Sequence, residues 1–385
     1  MLNAGKSPRP IAITPEVEAM LSRNAAVAFG VSGGKDGKAC ALATIEHLDR
    51  IGHTGPRLLI HANLGSVEWE GTTEKCQELA DLLGLELVVV KRKAGGLMER
   101  WQRRWENNVQ RYVDLECVKL ILPWSTPKMR FCTSELKSAV IASYLKKRFK
   151  GQEIINVTGI RREESASRRR STVSEVSTRL SQRKILGMDW RPALDFTKDE
   201  VLQLAAAYGI EQHVAYTQYN MSRLSCIYCV MSSEADLHAA ASCPANQAIY
   251  RTMVGLEAAS SFAFQGNRWL GDVAPHLLDE TLTTALAKAK EAAQRRQIAE
   301  ARIPKSLQFD GKGWPSRVPT AGEAEMLAEV RLDVGNAIGL PVRFTTAAAV
   351  IERYEQLLDE RMAATPAERI QLLIPAAGDQ LCMGF

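Results

Sequence analysis

The chain of 385 residues is 46% hydrophobic and 24% charged with a formal net charge of +5, which suits more than one buried core and argues against disorder. It has no run of eighteen uncharged apolar residues, and its start, MLNAGKSPRPIAITPEVEAML, has no apolar signal core, so neither a membrane helix nor secretion is expected and a cytoplasmic setting is. The mild basic excess is compatible with a polyanionic partner.

Residues 1–22 read as a tail and short helix. The Gly5-Lys6-Ser7 within them lacks an upstream glycine and a preceding strand, so it is not a phosphate loop. An apolar strand is predicted at 26–31, followed by Ser32-Gly33-Gly34-Lys35-Asp36-Gly37 and an alanine-rich helix at 37–51. Glycines let a backbone approach a polyanion, and the helix start adds amides and the positive end of its dipole. The loop lacks the GxxxxGK[ST] spacing of a Walker motif. Further strands are predicted at 57–61, 86–91 and 154–158, with helices at 69–84, 94–112, 133–148 and 197–208. This alternation predicts an α/β fold, an open and mostly parallel sheet with helices on both faces. Ligands of such sheets bind at the carboxyl ends of the strands, where Ser32, His61-Ala62-Asn63 and Gly159-Ile160-Arg161 all fall. Past residue 245 the pattern turns helical and charged. The expected division is a sheet domain at 23–244 and a mainly α region at 245–385.

Five arginines fall within the thirteen residues Thr158 to Arg170, just after a predicted strand. Guanidinium groups match phosphate and sulfate oxygens, so an anion site is expected in this stretch, with Arg168, Arg169 and Arg170 suited to a larger polyanion. Of eight cysteines, Cys40, Cys76 and Cys117 sit at apolar helical positions and read as core. Cys132, Cys226, Cys229 and Cys243 have polar or turn-forming neighbours, Cys226 and Cys229 as a CxxC pair. Cys382 stands alone near the end. Trp101, Trp105 and Trp124, interleaved with arginines, fit base stacking and core packing equally. Thr197 with Glu200 forms a capping box, and His213 reads as a packed loop histidine or a phosphate contact.

The SGGxD loop resembles the pyrophosphate loop of the ATP-pyrophosphatase (PP-loop) superfamily, whose members cleave ATP between the α- and β-phosphates. Most of them have serine where this chain has Gly37. The stretch TGIRREES resembles the second signature of the PAPS-reductase branch. The segments Cys132-Thr-Ser-Glu-Leu-Lys137 and Arg223-Leu-Ser-Cys226-Ile-Tyr-Cys229 resemble the cluster-bearing segments of assimilatory sulfonucleotide reductases. They also resemble those of the ATP-pyrophosphatase of Dnd/Ssp-type DNA phosphorothioation systems. The resemblance covers about residues 20–245.

It implies ATP and Mg²⁺ as ligands, with Ser32, Gly33, Gly34, Lys35, Asp36, Gly37, Asn63, Gly159, Arg161 and Arg162 at the nucleotide. Lys35, Asp36 and Arg161 would take part in catalysis. It also implies a [4Fe–4S] cluster, with zinc as the alternative, on Cys132, Cys226 and Cys229, and with Cys243 as the candidate fourth ligand. The implied activity is adenylation of a substrate phosphate for sulfur transfer, with DNA as acceptor. A cysteine desulfurase and other DNA-modification subunits would be partners, and self-association is left open. Sulfonucleotide reduction, tRNA thiolation and a catalytically silent nucleic-acid-binding module are the alternatives.

Overall fold

The computed structural model describes residues 10–183, 185–310 and 313–363. They fall into two units: one holds the residues up to 97 together with 131–246, the other 98–130 together with those from 247 onward. The chain therefore leaves the sheet unit at Leu97 and re-enters it at Phe131, where the sequence suggested an unbroken domain from 23 to 244.

In the first unit the strands β1 (Ala26–Val31), β2 (Arg57–Asn63), β3 (Glu86–Lys91), β4 (Ile154–Thr158), β5 (Ser174–Val176) and β6 (Gly187–Trp190) form one sheet in the order β3-β2-β1-β4-β6-β5. All pairings are parallel except that of the edge strand β5 with β6. The α/β architecture is thus as expected, and β1, apolar at nearly every position, lies in the middle because both its faces are covered.

On one face Val27, Phe29, Val157 and Trp190 pack with Ala39, Leu42 and Ile45 of the helix Lys35–Arg50 and with Val201 and Leu204 of the helix Lys198–Ala207. On the other, Ala26, Ala28, Leu58, Ile60 and Ile154 pack with Ala142, Leu145 and Phe149 at the helix Ala139–Arg148. From β1 the chain steps outward to β2 and β3, whereas β4 returns to the opposite flank of β1. That reversal opens a crevice beyond the carboxyl ends of β1 and β4.

The second unit contains the helices Leu97–Val113, Gln247–Ser260, Glu280–Ala301, Ala321–Ile338 and Ala347–Ala363. Residues 98–130 belong with it because their aromatic side chains are its core. Trp101, Trp105 and Trp124 are buried, Trp101 and Trp124 meet Phe264 edge-on, and Trp105 meets Phe262. These rings are packing residues and offer no stacking surface for bases. Arg331, fully buried, donates to the carbonyl oxygens of Tyr112 at 2.9 Å and Arg343 at 2.7 Å, which satisfies its guanidinium without a carboxylate. No helix among the described residues is long and apolar enough to cross a membrane.

Candidate active site at the sheet switch point

The loop after β1 turns at Gly33, whose φ of +69° favours glycine, and a Cβ there would also crowd the Thr72 carbonyl oxygen at 3.1 Å. Gly34 caps the helix Lys35–Arg50 and provides no side-chain acceptor for its first amides. Such amides are the anion-binding element of a helix start. The Gly33 amide donates to the Cys76 sulfur and the Lys35 amide to Tyr216 Oη. These contacts fix the loop from the side of residues 72–76 and 216.

From β4 the chain arrives at Gly159, packed so tightly that a Cβ there would lie 2.6 Å from the Asp36 carbonyl oxygen and 2.7 Å from Gly37 Cα. Arg161 Nε donates to Asp36 Oδ1 at 2.5 Å and Nη1 to Glu163 Oε2 at 2.5 Å. Burial disfavours the guanidinium charge, but the carboxylates outweigh it and raise the Arg161 pKa. The two signature segments, 125 residues apart at Asp36 and Arg161, are thus joined by a nearly buried ion pair. Two of the donor groups expected to face an anion are engaged in that junction.

The crevice contains a cavity of about 330 Å³. Ser32, Thr158 and Gly159 line it at the strand ends, Lys137 and Arg179 bring cationic groups, and Asn156 with Asp189 form its polar wall on the sheet face. Asn156 Nδ2 donates to Asp189 Oδ1 at 2.7 Å. Glycine backbone at Gly30 and Gly159 and the cationic side chains of Lys137 and Arg179 around one cavity suit an anionic ligand. Lys137, Arg179, Asn156 and Asp189 were missed in the sequence. The alternation on β4, which puts Asn156 on the same face as Thr158, and the position of Lys137 at the end of the Cys132–Lys137 segment carried the only signals for them.

Lys35 is not among the described residues lining this cavity. Its ammonium donates to the Ser222 carbonyl at 3.0 Å and stands 4.6 Å from the centre of the Tyr216 ring. Burial lowers its pKa. Asn63 Oδ1 accepts the Gly65 amide at 2.9 Å in a local turn. Arg162 Nε donates to Asp195 Oδ1 at 2.6 Å and its Nη1 to the carbonyls of Arg169 and Ser171, each at 2.8 Å, so it braces the basic stretch. Arg168 pairs with Glu164, whereas Arg169 and Arg170 are exposed. His213 is buried, with Nε2 on the Glu70 carbonyl at 2.9 Å and Nδ1 accepting the Ala215 amide at 3.0 Å. It caps the helix Val214–Thr217, which settles it as a packed loop residue.

Burial pushes the thiols of Cys40 and Cys76 up to about 12 and that of Cys117 to about 11, in keeping with a core role. Cys226 is buried, and its pKa is pushed up to about 12 by desolvation first and then by the nearby Cys229, with Lys137 opposing and Cys132 adding to the rise. Cys229 Sγ accepts the Met231 amide at 3.4 Å and Arg223 Nη2 at 3.9 Å. Cys243 is engaged with the Tyr219 hydroxyl. Cys132 and Cys229 are thus near enough to Cys226 to affect its titration, and Cys243 is held by Tyr219. No group of three His, Cys, Asp or Glu side chains among the described residues is arranged to hold a metal ion. Cys132, Cys226 and Cys229 are the thiols that would hold a cluster or a zinc ion, and no chemical step below is routed through one. Cys382 lies outside the described residues.

No protein-family model matches the sequence, and no curated protein matches it. Among solved structures, a phosphoadenylyl-sulfate (PAPS) reductase from Candida auris in its phosphate complex is similar over 57% of this chain and 98% of its own, at 14% identity and a TM-score of 0.34. A U34-tRNA thiolase from Methanococcus maripaludis, solved with its [4Fe–4S] cluster, is similar over 77% of this chain and 81% of its own, at 15% identity and a TM-score of 0.35. The fold stands on the strand order and pairing described above.

Proposed function

We propose that this chain is an ATP pyrophosphatase that activates a phosphate oxygen for sulfur transfer, with DNA as the acceptor. The observation that carries this reading is the junction of Ser32–Gly37 with Thr158–Arg161 through the Asp36–Arg161 pair and the Gly159 contact, at the mouth of a nucleotide-sized cavity. In this reading ATP lies along the crevice with its β- and γ-phosphates on the amides of the loop. A phosphate oxygen of the acceptor attacks the α-phosphorus, the bond to the bridging oxygen of the β-phosphate breaks, and pyrophosphate leaves. Charge develops on that leaving group, where loop amides and the Lys35 ammonium stabilise it. Mg²⁺, when bound with ATP, would offset part of the same charge. The terminal sulfur of a desulfurase persulfide then attacks the adenylated phosphorus and AMP departs, after which a second thiol cleaves the resulting P–S–S–R bond, leaving the phosphorothioate and a disulfide. The exposed Arg169 and Arg170 beside the crevice segment support a polyanionic acceptor.

The test is product analysis with Mg²⁺-ATP, duplex DNA, a persulfide donor and an excess of a low-molecular-weight thiol. AMP and pyrophosphate in equal amounts, with phosphorothioate linkages in the DNA, are expected. ADP and orthophosphate as products would overturn the α–β cleavage, and sulfite released from PAPS would place the chain among the reductases instead.

A further inference from the structure

The PP-loop lysine is held away from the cavity by a segment to which the sequence signatures assign no such part. Lys35 Nζ donates to the Ser222 carbonyl at 3.0 Å and lies over the Tyr216 ring at 4.6 Å. The Tyr216 hydroxyl accepts the Leu224 amide at 2.8 Å as well as the Lys35 amide. Ser222 is itself clamped, since its amide and hydroxyl both donate to the Asp236 carboxylate, each at 2.7 Å. Leu224 presses on the loop from the same side: its side chain would lie 3.3 Å from a Cβ on Gly33 and 3.7 Å from one on Gly34.

These contacts reach across 187 residues of sequence between Lys35 and Ser222, and they hold the lysine by its backbone amide, its ammonium and the loop beneath it. A lysine ammonium is a mobile point charge on a flexible stem, so what faces it decides where its charge acts. Neither the carbonyl nor the ring carries a formal charge, so a phosphate oxygen of ATP is the stronger acceptor for the same ammonium.

We propose that residues 216–236 form a strap that withholds Lys35 from the phosphate cavity, with Tyr216 and Asp236 as its positioning residues, so that nucleotide binding must draw the ammonium off the Ser222 carbonyl. This inference rests on the ATP-pyrophosphatase reading for the identity of the anion but not for the strap. Loosening the strap therefore exposes Lys35 and tightens ATP binding, because less is given up when the ammonium moves.

The experiment uses the full chain and two variants, Tyr216→Phe and Asp236→Asn, both near in shape to the native residues. Brief treatment with acetic anhydride followed by mass spectrometry reads the labelling rate of Lys35 against that of the other lysines. Titration with Mg²⁺ and a non-hydrolysable α,β-methylene analogue of ATP reads nucleotide affinity. Each variant is expected to speed Lys35 labelling and to lower the Kd of the analogue by about fivefold, the factor that one hydrogen bond represents. Unchanged labelling of Lys35 in both variants overturns the proposal. So does faster labelling with weaker analogue binding, because the strap would then support the lysine. Faster labelling with no analogue binding by any form keeps the strap and removes the ATP reading, which separates the two claims.

Discussion

A Cβ on Gly159 would lie 2.6 Å from the Asp36 carbonyl oxygen, whereas one on Gly37 would meet Gly30 O at 3.8 Å and nothing nearer. Gly159→Ala must push apart the two segments that form the site, and overpacking of this kind costs about 1–3 kcal/mol. A lowered melting temperature and loss of pyrophosphate release are expected together. Gly37→Ser has room for its side chain and restores the hydroxyl common in the resembling loops. Its melting temperature is expected to stay within a degree or two of the native value, and its rate of pyrophosphate release to rise about fivefold if that hydroxyl bonds the leaving group. An unchanged rate would show that the loop amides suffice. Asp36→Asn removes a charge-assisted bond and leaves Arg161 with Glu163, a loss of about 1.5–3 kcal/mol that denaturant unfolding reads directly. At this scale the sequence was legible where chemistry is local. Glycines and arginines beside a strand end announce themselves, but nothing near Lys35 in the chain points to Ser222 or Tyr216.

The segment Ser134–Ser138 is a π-helical turn between the short helix Phe131–Thr133 and the helix Ala139–Arg148. An extra residue in the turn re-aims the side chains before it relative to those after it, and Thr133, Lys137 and Ile141 all reach the cavity wall. Deleting Ser134 is expected to restore α-helical winding and to rotate Cys132 and Thr133 by about 100° relative to Ile141. Circular dichroism should hold while binding of an ATP analogue falls at least about tenfold, equivalent to roughly 1.4 kcal/mol. Retained binding would remove this turn from the site.

Glu257, in the helix Gln247–Ser260, is fully buried and accepts the amides of Phe264 and Leu270, each at 2.7 Å, and of Gly271 at 3.0 Å. Burial pushes its carboxyl up to about 7 from an ordinary 4.5, with the three amides opposing. The folded form then holds the proton more tightly than the unfolded one, so its contribution is complete below pH 4.5 and is lost as pH rises through about 7. A pH series of melting temperatures should fall across that window for the native protein more steeply than for Glu257→Gln. Equal slopes would mean that Glu257 titrates alike in both states. Among the elements, long apolar strands and capped helices were legible in the sequence to within a few residues. The edge strand Ser174–Val176 was not, because three residues with one exposed valine carry no alternation to read.

The whole chain carries 49 lysines and arginines against 44 acidic residues, a balance too even to drive nucleic-acid binding by net charge alone. In the proposed reading a local cationic surface does so, and no ion pair to Arg169 or Arg170 occurs among the described residues. Affinity for duplex DNA is expected to fall with salt, and the double variant Arg169→Ala, Arg170→Ala should reduce the slope of log K against log salt by about 2. An unchanged slope would move the acceptor surface elsewhere. The composition and alternation implied a division near residue 245, but not that residues 98–130 group with those from 247 onward. Helical periodicity in Leu97–Val113 shows that one face is buried and is silent on what buries it.

That interrupted path has a consequence during synthesis. Trp101 and Trp124 leave the ribosome long before Phe264, the ring they pack against, is made. At ordinary elongation rates the interval is roughly ten to thirty seconds. Through it the nascent chain carries two large indoles that can meet each other but lack the Phe264 ring that completes their packing, while β1 to β4 are already free to pair. A chaperone that shields aromatic segments has its natural window there, and slow codons between residues 130 and 260 would lengthen the exposure without changing one amino acid.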